Sequence, residues 1–167
     1  YSLVMVAVDS DVAGAIELHP TIRPEAEKIV SRLRKSKLST YIISGDHEEP
    51  TRALARKLGI DHFHAGTLPE KKAEIIEHLQ KQGKNVCFVG DGINDSIALK
   101  KACVSVSLRG ASTAAIDSAQ IILMNDGLAC LTRLFDISRE FERNQKTNLM
   151  ISFLPGIICI GGVFLLH

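Results

Sequence analysis

The stretch that decides the fold is Val89-Gly90-Asp91-Gly92-Ile93-Asn94-Asp95-Ser96-Ile97-Ala98-Leu99-Lys100-Lys101-Ala102. An apolar run, Asn85-Val86-Cys87-Phe88-Val89, leads straight into it and reads as a buried strand. At its end two carboxylates and an amide stand between glycines, and a helix is expected over residues 95–101. This order puts a polar cluster at the carboxyl end of a strand, where open α/β sheets bind ligands. Clustered carboxylates on such a loop suit a hard cation. Mg²⁺, which takes oxygen ligands and keeps several waters, fits best. A bland turn has little use for Asp91 and Asp95 on one pocket, so the cluster implies a partner group elsewhere.

Outward from this stretch, strand and helix signals alternate. Residues 4–8 and 15–18 read as strands, joined by a turn over residues 9–14. Pro24 opens a helix whose apolar stripe is Ala26, Ile29, Val30 and Leu33. Residues 40–43 form a strand ending in Ser44-Gly45-Asp46. A helix over residues 48–58 follows, with Gly59 in the C-terminal capping place. A short strand lies within residues 60–65. Pro69 precedes a helix with Ile75, Ile76 and Leu79 inside and Gly83 at its end. Beyond the opening stretch come a strand at 103–107, a helix from Ser112, a strand at 120–124 and a long helix from Leu128. Strands alternating with short helices mean βαβ units and a mainly parallel sheet.

Composition narrows the class. The 167 residues suit one domain with a small appendage. With 46% hydrophobic and 23% charged residues, the chain is globular and not disordered. A net charge of +1, no long basic run and no Trp argue against a nucleic-acid platform. Cys87, Cys103, Cys130 and Cys159 lack CxxC spacing, and reduced core thiols are expected. His62 and His64 share a strand face, but two ligands make an incomplete metal site, so a solvated pair is expected. Residues 149–166 carry no charge. At about 1.5 Å per residue they span roughly 27 Å, close to the apolar thickness of a bilayer. Pro155, Gly156, Gly161 and Gly162 are tolerated in a membrane helix, and Arg133, Arg139, Arg143 and Lys146 place the preceding part on the cytoplasmic side. Cys159 is expected to serve packing. Tyr1 stands where an initiating Met would be, so a piece of a longer chain is expected.

Three polar clusters follow strands: Ser44-Gly45-Asp46, Lys72 in Pro69-Glu70-Lys71-Lys72, and residues 90–95. A hydroxyl and backbone amides hold phosphate oxygens, a lysine neutralises their charge, and carboxylates hold Mg²⁺. Together they describe phosphoryl-transfer machinery. In this order the motifs resemble the haloacid-dehalogenase-type phosphorylation domain of P-type ATPases, most similar to the heavy-metal, copper-type branch. Ser44-Gly45-Asp46 matches that family's TGD with Ser for Thr. Lys72 matches its lysine three after a proline, and Gly90-Asp91-Gly92-Ile93-Asn94-Asp95 matches its GDGIND residue for residue. "GAIELHPTIRPEAEKIVSRL" (residues 14–33) resembles the return from the nucleotide domain, and "ISREFERNQKTNL" (137–149) the stalk helix. Pro20, and Ser96-Ile97 where the family has Ala-Pro, depart from its pattern.

The resemblance implies a haloacid-dehalogenase-like α/β fold lacking its central nucleophile strand, with a C-terminal transmembrane helix. It implies a re-entry hairpin at 1–18, the C-terminal part of the phosphorylation domain at 19–127, a stalk helix at 128–148 and a truncated transmembrane helix at 149–167. By the same resemblance Ser44 and the Gly45 amide bind phosphoryl oxygens and Asp46 supports their loop. Lys72 stabilises the transferring phosphate. Asp91 ligates Mg²⁺ with Asp95 beside it or one layer out, and Asn94 completes the phosphate network. Lys72 and Asp91 are then the catalytic pair. ATP, held mainly by a nucleotide domain outside this chain, and a transported metal cation are the implied partners. The parent is then a multi-pass membrane transporter with residues 1–148 cytoplasmic.

The partner group is the aspartate of DKTGT, and no such string occurs here. Asp9-Ser10-Asp11 is the one substitute. It suggests an alternative: a stand-alone phosphatase with Asp9 as nucleophile and Asp11 as general acid. A second alternative is a non-catalytic, membrane-attached regulatory domain. The sheet separates the readings. A phosphatase puts residues 3–8 between the strand ending at Ser44 and the strand ending at Gly90, whereas a transporter piece leaves those two strands apart.

Overall fold

The computed structural model describes residues 2–18, 21–108, 112–124 and 127–165. The chain opens with β1 (Ser2–Val8), β2 (Asp11–Leu18), α1 (Ala26–Lys35), β3 (Tyr41–Ile43) and α2 (Glu48–Leu58). It continues with β4 (His62–His64), α3 (Pro69–Lys81), β5 (Cys87–Gly90) and, after a 3₁₀ turn at Ile93–Asp95, α4 (Ser96–Lys101). Then come β6 (Val104–Leu108), α5 (Thr113–Ser118) and β7 (Ile121–Leu123), and finally α6 (Cys130–Leu165).

Among the described residues the strands form three sheets: β1-β2, β3-β4 and β5-β6-β7. The last two are parallel, with Tyr41 opposite His62, Cys87 opposite Val104 and Gly90 opposite Ser107. Helices lie between successive parallel strands, as βαβ units require. β3 and β5 belong to different sheets, and the phosphatase expectation that residues 3–8 join them is not met. β1 pairs antiparallel with β2 instead. The local turn explains why: Asp9 (φ 49°) and Ser10 (φ 75°) are both left-handed, the conformation of a two-residue hairpin turn. The turn expected over residues 9–14 is therefore too long. Val6 faces Gly14 while Ala7 faces Val12, so Ala13 is the extra residue of a bulge within β2.

The core of the three-stranded half follows from helical spacing. Ala73, Ile76 and Leu79 recur on one face of α3 and are buried. Ile76 packs with Ala98 and Ala102, and Val86 and Phe88 cover them from the β5 side. Burying Ile76 and Leu99 completely contributes about 2 kcal/mol each. Pro69 starts α3 at a position where its missing N–H is harmless. Gly83, at φ 79°, ends it.

The expectation of core thiols is corrected. Cys87, Cys103 and Cys159 are exposed and Cys130 is half-buried. Cys87 alternates with Phe88 and so turns away from the core. Cys103 precedes β6; the Val86 main-chain amide first, and then Gln80, whose Nε2 lies 3.1 Å from Sγ, hold its thiol below the ordinary range.

α6 (Cys130–Leu165) belongs to a unit separate from the rest of the chain, and its helix contains Pro155. Lys146 donates to Glu142 at 2.7 Å and lowers its pKa. Large apolar side chains between Leu149 and Ile160 are exposed, among them Met150, Phe153 and Ile158. Among the described residues no helix is long and apolar enough to cross a membrane. The expected span of 149–167 ends with residues 166 and 167, which lie outside the described residues.

Candidate active site

The Ser44 loop is built by borrowing hydrogen bonds from its neighbour. Ser44 N donates to His64 O at 2.8 Å, which prolongs the β3–β4 pairing by one residue. Thr67 N then donates to Ser44 O at 2.9 Å, and Gly66 N to Asp46 O at 2.7 Å. Within the loop, Asp46 N donates to Ser44 Oγ at 3.1 Å, and the hydroxyl reaches Asp46 Oδ2 at the same distance. Gly45 passes close to the Thr67 carbonyl. Asp46 therefore supports the loop, while the exposed Gly45 stands at its tip. Thr67, buried and central to this clamp, went unnoticed in the sequence. Its one signal is its place just before Leu68-Pro69, which starts α3.

Four residues after Leu68, α3 presents Lys72, whose Nζ donates to Asp95 Oδ1 at 2.7 Å. Both side chains are largely buried, 12% and 13% exposed. The other Asp95 oxygen, Oδ2, accepts from Gly92 N at 3.3 Å. Asp95 thus has both oxygens engaged. Asp91 is exposed at the end of β5, and its main-chain oxygen accepts from Ser112 N at 3.0 Å. That bond, another feature sequence reasoning missed, fixes the loop without using the Asp91 carboxylate. Asn94 is exposed on the same loop.

Gly90 is required by space. A Cβ there would stand 2.8 Å from Asp95 Cβ and 3.0 Å from its Oδ2. Gly90→Ala is expected to push Asp95 off Lys72 and to destabilise the domain by about 1–3 kcal/mol. Thermal unfolding checks this; an unchanged melting temperature would show that Asp95 can move without cost.

The site residues thus fall into two groups. Lys72, Asp95, Gly92 and Gly90 form one, Ser44, Gly45, Asp46 and Thr67 the other, and the first turn of α3 links them. Asp9 and Asp11 join neither; they sit at the turn of the separate β1–β2 ribbon. Among the described residues no group of three or more His, Cys, Asp or Glu side chains could hold a metal ion by itself. His62 stacks on Tyr41 at 4.6 Å, outside both groups, and both it and His64 are exposed. The chemistry on offer is anion binding by the Ser44 loop, charge neutralisation by Lys72, and the carboxylate of the exposed Asp91 for a hydrated cation.

Residues 2–102 match the family of haloacid dehalogenase-like hydrolases. The chain is 34% identical over 160 residues to a zinc-transporting ATPase of Bacillus subtilis, covering 96% of this chain and 25% of that protein. It is 33% identical over 165 residues to copper-transporting ATPase 1 of Rattus norvegicus, covering 97% and 11%. It therefore spans a quarter or less of these curated relatives. The crystal structure of a zinc-transporting PIB-type ATPase in its E2.Pi state superposes with a TM-score of 0.81 at 30% identity, over 99% of this chain and 27% of that one. The catalytic domain of a CPx-ATPase superposes with a TM-score of 0.68, also at 30% identity, over 78% and 52%.

Proposed function

We propose, on the premise that this chain belongs to the haloacid dehalogenase-like hydrolases and resembles the phosphorylation domain of heavy-metal P-type ATPases over most of its length, that it is the Mg²⁺- and phosphate-binding part of an ATP-driven cation transporter. One observation carries this reading: β3 and β5, whose ends bear the Ser44 and Asp91 loops, lie in different sheets, and among the described residues no strand of this chain joins them. The phosphorylated aspartate then comes from a strand outside this chain.

In this reading Ser44 and the Gly45 amide receive the phosphoryl oxygens, and Lys72 neutralises charge on them. Asn94 adds a polar contact. Asp91 takes Mg²⁺, which needs only one or two carboxylates when waters and phosphate oxygens fill its other positions. Asp95, both of whose oxygens are engaged, positions Lys72 and borders the ion. ATP is held mainly by a domain outside the chain. Residues 1–18 are the re-entry hairpin, 19–127 the phosphorylation domain and 128–148 the stalk. Residues 149–167 begin a membrane helix, with residues 1–148 cytoplasmic. The exposed apolar side chains of α6 support that last assignment, since water disfavours such a surface.

The test is made on the complete protein. With ATP, Mg²⁺ and a soft metal ion it is expected to form a hydroxylamine-labile acyl phosphate that maps outside these 167 residues. Hydrolysis of p-nitrophenyl phosphate by this chain, abolished by Asp9→Asn, would overturn the reading in favour of the phosphatase.

A further inference from the structure

Ser107, on β6, is fully buried, and among the described residues its Oγ has no hydrogen-bond partner. Buried hydroxyls are nearly always paired, because an unpaired one forfeits its hydration. Ser105, two residues earlier and 1% exposed, shows the usual outcome: its Oγ accepts from Gln120 N at 3.0 Å.

The register says what Ser107 faces. It lies opposite Gly90, as Ser105 lies opposite Phe88, and residues paired in this way project to the same face of the sheet. On that face Phe88 packs against the Ile76, Ala98 and Ala102 cluster. The space over Gly90 is filled by Asp95, whose Cγ and Oδ2 both stand 3.0 Å from where a Gly90 Cβ would be. Ser107 is one strand over, at about 4.8 Å. The register therefore puts the Ser107 hydroxyl on the face that carries Asp95, one strand over from the carboxylate that holds Lys72.

Resting on the function proposed above, we infer that Ser107 is the donor Asp95 takes when Lys72 turns to a phosphoryl group. At rest Lys72 donates to Asp95. A phosphoryl group carries its own negative charge and competes for the same ammonium. A carboxylate only 13% exposed that lost its cation without replacement would be a buried unpaired charge. The Ser107 hydroxyl supplies a replacement hydrogen bond from inside the fold. It keeps Asp95 in place so that Lys72 can return. Ser107 is thus a positioning residue, acting through Asp95.

The experiment uses the complete protein. Ser107→Ala is expected to lower the rate of phosphoenzyme formation from ATP about tenfold, the effect of losing a hydrogen bond to a charged group. The ATP concentration for half-maximal rate is expected to stay unchanged, since this site does not hold the nucleotide. The melting temperature is expected to hold or rise, because an unpaired hydroxyl has been removed. Ser107→Thr, which keeps the hydroxyl, restores the rate. A parental rate in Ser107→Ala overturns the inference, and so does a rate loss matched by a lowered melting temperature, which assigns Ser107 to packing. Asp91→Asn, run beside it, separates the two levels: if that variant also keeps the parental rate, the proposed function itself has failed.

Discussion

Asp91→Asn in the complete protein is expected to cut phosphoenzyme formation by about two decades or more. The change is nearly isosteric and removes one negative charge from an exposed loop, so folding should not suffer. The loop itself is held by main-chain bonds, Ser112 N to Asp91 O at 3.0 Å and Asp95 N to Gly92 O at 3.1 Å, neither of which uses the Asp91 carboxylate. The loss therefore belongs to the cation. A divalent ion beside the transferring group offsets charge that builds up in the transition state, and a neutral amide holds it poorly. The measurement is the phosphorylation rate against Mg²⁺ concentration. The variant curve is expected to be low and shifted to higher Mg²⁺. Overlap with the parental curve would remove Asp91 from the site.

Lys72→Met is expected to have two effects that can be taken apart. It keeps most of the stem but deletes the cation facing Asp95, leaving a carboxylate that is only 13% exposed without its partner. Breaking such a pair from one side costs about 3 kcal/mol in stability. Phosphorylation is expected to fall by about a hundredfold or more, as charge on the transferring group goes unopposed. Adding Asp95→Asn removes the stranded charge. The double variant is expected to recover most of the stability and none of the rate, a non-additivity that contact across the pair requires. Unfolding curves and phosphorylation rates on the four proteins decide it. Recovery of both together would make Lys72 a structural lysine with no phosphate to bind.

Much of this was legible in the chain because the signals were local. Glu48–Leu58 and its cap Gly59 followed from spacing and a left-handed glycine, here at φ 66°. The polar clusters at strand ends followed from the α/β alternation. What was not legible depended on partners far away in sequence. Lys72 and Asp95 are 23 residues apart, and although their clusters were expected in one site, nothing in either neighbourhood says that these two side chains pair. Thr67 looked like any loop residue until Ser44 supplied its acceptor. The β1–β2 turn was misjudged for a different reason. Asp9, Ser10, Asp11 and Gly14 are all turn formers, and composition alone does not show that Gly14 pairs within the strand, just beyond a bulge at Ala13. Cys87 was misplaced because apolar context does not tell which of two strand faces a residue takes.

The clamp between the Ser44 and Thr67 loops has a mechanical meaning. Ser44 hangs from His64 and Thr67, and one residue past Thr67 the chain is already at the cap of α3, whose first turn bears Lys72. The Ser44 loop and Lys72 are thus mounted on one frame. A thermal displacement or a large swing of this frame carries both together, so their separation changes far less than either position does. Correlated drift of this kind keeps the spacing of the Ser44 loop and Lys72 fixed while the frame as a whole moves.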